Sequence, residues 1–165
     1  MKKFQHLPIY QKADENYKLV SLVCDLIHED DKILSFKKEI LLENALIIVV
    51  KTACGLQTKV YDVKMENATL IRKAARELYV ANSTLEIFGF KDAKYYQMVR
   101  NVIDEFKILF IDWVAGFNQN HFLVDDWGLF NPPGITPDYE QSSDELDFLE
   151  EEDAGRVGWL EYLGL

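Results

Sequence analysis

Residues 41–50 read Leu41-Leu42-Glu43-Asn44-Ala45-Leu46-Ile47-Ile48-Val49-Val50, a stretch broken only by Glu43 and Asn44. Taken alone, Leu46 to Val50 has the β-branched content of a buried strand. Its surroundings decide for a helix: Phe36, Ile40, Ile47, Lys51 and Cys54 keep steps of three and four. The spacing predicts a helix from about Lys32 to Cys54, with Asp31 as its N-cap and Gly55 as its C-terminal cap. A helix that is apolar all round must be covered all round. This one segment therefore calls for a bundle, and for more cover than its own chain readily supplies.

Three further segments repeat the helical period. From about Pro8 to Glu29, Tyr10, Ala13, Tyr17, Val20, Cys24 and Ile27 make one stripe, with proline at the favoured first helical position. From about Tyr61 to Phe88, Met65, Ala68, Ile71, Ala75, Leu78, Leu85 and Phe88 share a face, and Gly89 ends the run. Arg72 and Asn82 interrupt that face, which fits an interface. From a cap at Asp92 to about Phe117, Tyr95, Val99, Val102, Phe106, Leu109 and Trp113 form a stripe that Ile103, Phe110, Val114 and Phe117 widen beyond two rows. Short connections make neighbouring helices antiparallel. The expected fold is all-α: an up-down antiparallel four-helix bundle over residues 1–120, followed by an acidic C-terminal extension over residues 121–165 that contains prolines and aromatics.

Charge divides the chain in the same place. Residues 1–122 carry 17 Lys+Arg and 16 Asp+Glu, whereas residues 123–165 carry 12 acids and one base, Arg156. The net charge of −10 thus belongs to the extension, and it opposes long-range attraction to nucleic acid. The extension reads either as a solvated acidic tail or as an acidic peptide that docks on a basic surface. Asn131-Pro132-Pro133-Gly134 with Pro137 has linker composition, and Ser142 with Glu145 makes a capping box for a short acidic helix over residues 143–152. Trp127, Phe130, Trp159, Leu160 and Tyr162 are out of place in an inert tail. They are candidate anchors, expected to hold the extension to the bundle or to serve as bait for a protein partner.

No constellation for catalysis stands out. Asp25-Leu26-Ile27-His28 is a single approximation to the Glu-x-x-His motif that di-iron bundles use twice. Glu39 and Glu43 share a helix face, as solvated carboxylates commonly do. Cys24 lies on a core stripe, and Cys54 lies at an expected helix C-terminus, where the dipole disfavours a thiolate. No phosphate loop, dinucleotide fingerprint or nucleophile elbow occurs. No cofactor or metal is expected. Two cysteines make no disulfide framework, and the longest apolar run is far short of the roughly 20 residues of a membrane span. With no apolar leader at the N-terminal end, a reduced cytoplasmic protein without membrane contact is the expectation. The densest basic set is Lys64, Arg72, Lys73 and Arg76 on the third helix, joined by Lys51 on the second as candidate contacts to nucleic acid or another anion. Surface pairing with Glu66 and Glu77 is the ordinary alternative.

Leu7-Pro8-Ile9-Tyr10-Gln11-Lys12-Ala13 resembles the opening of the four-helix-bundle proteins encoded in intervening sequences of 23S ribosomal RNA genes. That group includes the accessory variability determinant of diversity-generating retroelements. Residues 45–55 resemble the family's Ser-Ile-Pro-x-Asn-Ile-Ala-Glu-Gly stretch, with Val49, Lys51 and Cys54 at its Pro, Asn and Glu positions. Glu77-Leu78 and Gly89-Phe90 match a Glu-Leu pair and a Gly-Tyr turn. The resemblance covers residues 7–117. It implies a non-catalytic, ring-forming bundle, often a pentamer, and in the retroelement branch the binding of nucleic acid and of a reverse transcriptase. That branch is strongly basic, whereas the body of this chain is nearly neutral. The expectation is a homo-oligomeric scaffold or adaptor with an acidic docking tail, with a nucleic-acid accessory factor as the alternative.

Overall fold

A computed structural model describes residues 4–28 and 30–150 of the chain. Among these, secondary structure is entirely helical: α1 (Pro8–Cys24), α2 (Lys32–Gln57), α3 (Tyr61–Ile87) and α4 (Tyr96–Ala115), with single 3-10 turns at Ala93–Tyr95 and Asp144–Leu146. No helix is long and apolar enough to cross a membrane, among the described residues.

Most expected starts and stops are where the chemistry puts them. Pro8 opens α1. The Asp31 carboxylate accepts from the N–H groups of Ile33 and Leu34, both at 3.0 Å, closing the N-terminus of α2. Gly89 takes φ +80° just beyond α3, a conformation open to glycine without strain. Three expectations need correction. Helix α1 stops at Cys24, where Asp25 caps it through Ser21 and Val23, instead of running to residue 29, which lies outside the described residues. Gly55 does not end α2, which continues to Gln57. Asp92 makes no side-chain cap, because a 3-10 turn precedes α4.

Two compact units divide the chain: Met1–Gln57 with Asn67–Gly116, and Thr58–Glu66 with Phe117–Leu165. This differs from a boundary at residue 120 in giving the C-terminal region a partner segment from the start of α3. In the first unit α1 packs against both α2 and α4. All four helices contribute to one core, with Ala13, Val20, Ile48, Ile71, Leu78 and Val99 completely buried. The α4 stripe keeps Val99, Val102 and Phe106 buried as expected and differs only at its first member. Tyr96, not Tyr95, is buried, and its hydroxyl donates to the Leu78 carbonyl of α3 at 2.8 Å. Asn16 and Thr52 are completely buried as well, and their side-chain polar atoms have no hydrogen-bond partner. Gly55 has a packing role: a Cβ there would lie 2.7 Å from Cη2 of Trp113 on α4.

The second unit has its own small aromatic core, so residues 117–150 are not a bare solvated tail. Phe117, Phe122 and Phe148 are buried, as are Val60 and Tyr61. The His121 and Phe148 rings stack at 4.8 Å, and the Lys64 ammonium lies 5.0 Å over the Phe117 ring. Tyr61 N–H donates to the His121 carbonyl, and Leu123 N–H donates to the Asp62 carboxylate at 3.0 Å. The Gln141 amide bridges the chain by donating to the Phe122 carbonyl and accepting from Val124 N–H. The Ser142–Glu145 box forms, with Ser142 N–H and hydroxyl both donating to Glu145 at 2.9 Å. It introduces a 3-10 turn rather than an α-helix, with residues 148–150 helical where description ends.

Candidate functional site: a basic-rimmed groove between α3 and α4

Between α3 and α4 lies a cleft of about 450 Å³. Its floor is apolar because Ile71 on α3 and Ile103 and Phe106 on α4 are buried core side chains. Ala75 and Phe110 form the walls, and the exposed Ile111 closes one side. Along the rim stand Arg72, Arg76 and Lys107. Arg72 and Arg76 are one helical turn apart, so both project along the same edge. Like charges at that spacing oppose each other by a few tenths of a kcal/mol. The pairing with Glu66 or Glu77 that would relieve this does not occur, and none of the three rim cations has an ion-pair partner among the described residues. At one end the Arg100 guanidinium lies 4.4 Å over the Tyr79 ring, whose hydroxyl points at Asp104 at 3.5 Å. Asp104 is the acid among the lining residues. An apolar floor under unpaired cations suits an anionic ligand with an apolar body.

The structure gathers only part of the expected basic set. Arg72 and Arg76 share the groove, and Lys73 sits exposed beside them on α3 without lining it. Lys51 is half-buried on α2 and takes no part, while Lys64 belongs to the second unit and is engaged with Phe117. Sequence reasoning missed Lys107 and Arg100. The available signal was the extra width of the α4 stripe, which marks a face that must meet something beyond a two-row seam.

The expected anchors also divide. Trp127 is 81% exposed and Leu129 71%, so Trp127 holds nothing to its own chain. The reason lies in the loop backbone, which Asp125 fixes with the side chain of Trp127 outward. Phe130 is half-buried within the second unit. Trp159, Leu160 and Tyr162 lie outside the described residues. On the outer side of α2, Phe36, Leu46 and Val50 are 60%, 48% and 45% exposed, so the all-round apolar helix is left uncovered there.

Cys24 is buried on α1, where its thiol faces the Lys38 carbonyl of α2, and burial pushes its pKa up to about 11. It is held as a thiol at neutral pH. Cys54 is exposed within α2 rather than at its end. Among the described residues, no three His, Cys, Asp or Glu side chains gather as metal ligands. Comparison with protein-family models, curated proteins and solved structures gives no match to this chain.

Proposed function

We propose that the chain is a non-catalytic, self-assembling scaffold or adaptor. In this reading its four long helices form an up-down antiparallel bundle that joins others in a closed ring, and its acidic C-terminal region docks on a basic surface. The observation that carries the proposal is the outer face of α2, where Leu46 and Val50 stand exposed one turn apart, with Glu39 and Glu43 between them and the exposed Phe36. Neighbouring exposed apolar side chains such as Leu46 and Val50 are costly in water and commonly mark a protein contact. The resemblance of residues 7–117 to ring-forming bundles of the ribosomal-RNA intervening-sequence group supports the same reading.

Charge placed on that face tests it. Leu46→Glu with Val50→Lys keeps the helix and should lower the solution mass of the full chain. An assembly unaffected by both substitutions would sink the role given to α2. A second reading, an accessory factor that binds nucleic acid beside a reverse transcriptase or another nucleoprotein, is favoured by the unpaired Arg72, Lys73 and Arg76. It requires affinity that falls steeply with salt and is lost in Arg72→Glu with Arg76→Glu. Equal binding at low and high salt would dismiss it.

A further inference from the structure

Among the described residues, the loop over residues 125–131 is densely cross-bonded, and it presents Trp127 and Leu129 exposed. The Asp125 carboxylate accepts from the N–H groups of Trp127, Leu129 and Phe130 at 3.0, 2.8 and 2.9 Å. These bonds, that from Phe130 first, hold its carboxyl below the usual range. Asn131 clamps the same residue from the other side, accepting from Asp125 N–H at 2.7 Å and donating to its carbonyl at 2.9 Å. Gly128 adopts φ +70°, and a Cβ there would meet the Pro137 ring at 2.8 Å. A rigid frame therefore holds Trp127 and Leu129 in solvent beside the exposed Asp126. A fixed tryptophan loses little conformational freedom on binding, which is why preorganised Trp residues dominate contact energies.

The α3/α4 groove has the complementary character. The loop offers two large apolar side chains and the acids Asp125 and Asp126, with no Lys or Arg between residues 117 and 150. The groove offers an apolar floor and three unpaired cations against one acid, Asp104. The geometry points to a contact between copies of this chain: the 125–130 loop of one copy seats Trp127 and Leu129 against Ala75, Phe110 and Ile111 of a second. Asp126 then faces Arg72, Arg76 and Lys107. Because two different patches meet, the contact is heterologous. The pair keeps one free groove on the first copy and one free loop on the second, so the contact propagates into a ring or a chain of subunits. This inference rests on the self-assembly reading and names the docking element within it.

The test uses the full chain with Trp127 replaced by photo-reactive p-benzoylphenylalanine, an aromatic substitution at an exposed position. Irradiation should give a product of twice the 19.2 kDa chain mass, with cross-links mapping to residues 71–79 and 103–111. Adding Arg72→Glu with Arg76→Glu to that chain should cut the yield about tenfold, in line with loss of an interface hot spot. Mixing this doubly altered, labelled chain with unlabelled Trp127→Asp chain should restore the product, since the latter keeps an intact groove. Cross-links confined to one chain, cross-links to other segments, or a yield indifferent to the arginines would overturn the contact. The wild-type solution mass separates the two levels. An oligomer without these cross-links removes this contact and leaves the scaffold reading standing, whereas a monomer removes both.

Discussion

Replacing Gly55 with alanine sets two effects of known sign against each other. In the interior of a helix, alanine is favoured over glycine by about 1 kcal/mol. Yet an added Cβ would sit 2.7 and 2.8 Å from Cη2 and Cζ2 of Trp113, with Asn67 Cβ at 3.7 Å. Carbon atoms pack best at roughly 3.5–4.0 Å, so the overlap is close to 1 Å. The indole cannot swing away freely, because the Phe110 ring lies against it at 5.9 Å. Overpacking of this kind costs about 1–3 kcal/mol. The steric effect at least offsets the propensity gain, and Gly55→Ala should destabilise the protein by roughly 0–2 kcal/mol after that gain is subtracted. In a Trp113→Phe background the crowding is gone and the same substitution should stabilise by a few tenths to about 1 kcal/mol. The propensity gain cancels in the double-mutant cycle, so the coupling is the overpacking cost itself, about 1–3 kcal/mol, within the range found for contacting residues. Urea denaturation of the four chains, read at equal m-values, measures it. Stabilisation by Gly55→Ala in the wild-type background would refute the close approach of α2 to α4.

Other substitutions probe the rest of the core. Tyr96→Phe removes the buried hydroxyl that donates to the Leu78 carbonyl, and should cost about 1 kcal/mol in denaturant unfolding. No loss would mean that this bond contributes nothing. Asn16→Leu replaces two buried, unpartnered polar atoms with an apolar side chain of similar size, and should raise the urea midpoint by an amount worth about 1 kcal/mol or more. A lowered midpoint would show that Asn16 has a polar role. Cys24 gives a pH signature: burial raises its folded pKa from 9.0 to about 11, so its contribution is intact below pH 9 and is lost as pH rises from 9 towards 11. The loss should approach about 1.4 kcal/mol per pH unit in that window and be absent in Cys24→Ala, as thermal unfolding at pH 8, 9 and 10 would reveal.

Local signals in the sequence were legible wherever a single residue does the work on its own helix. Pro8, Asp31 and Gly89 act through their own backbone, so their positions follow from chemistry within a few residues. Gly55 reads as a stop because the usual role of glycine near a helix end is conformational. Its role here depends on Trp113, a neighbour in space that local spacing does not reveal. Tyr95 and Tyr96 are adjacent aromatics, and periodicity alone does not say which faces α3, since they lie four and three residues before Val99 and both steps fit a helix. The groove was half visible. The Arg72 and Arg76 spacing marked one rim, but the floor and Lys107 exist only once α4 is laid beside α3. Trp127 was recognisable as out of place, while its outward orientation depends on the bonds that Asp125 and Asn131 make across the loop.

The apolar length of residues 45–50 demanded cover, and Leu46 and Val50 remain exposed on α2. That residue of uncovered surface is the basis of the self-assembly claim, and the solution mass of the untagged full chain tests it most directly. Light scattering across a dilution series through the micromolar range should return an integral multiple of 19.2 kDa. A mass of one chain throughout the series would contradict it.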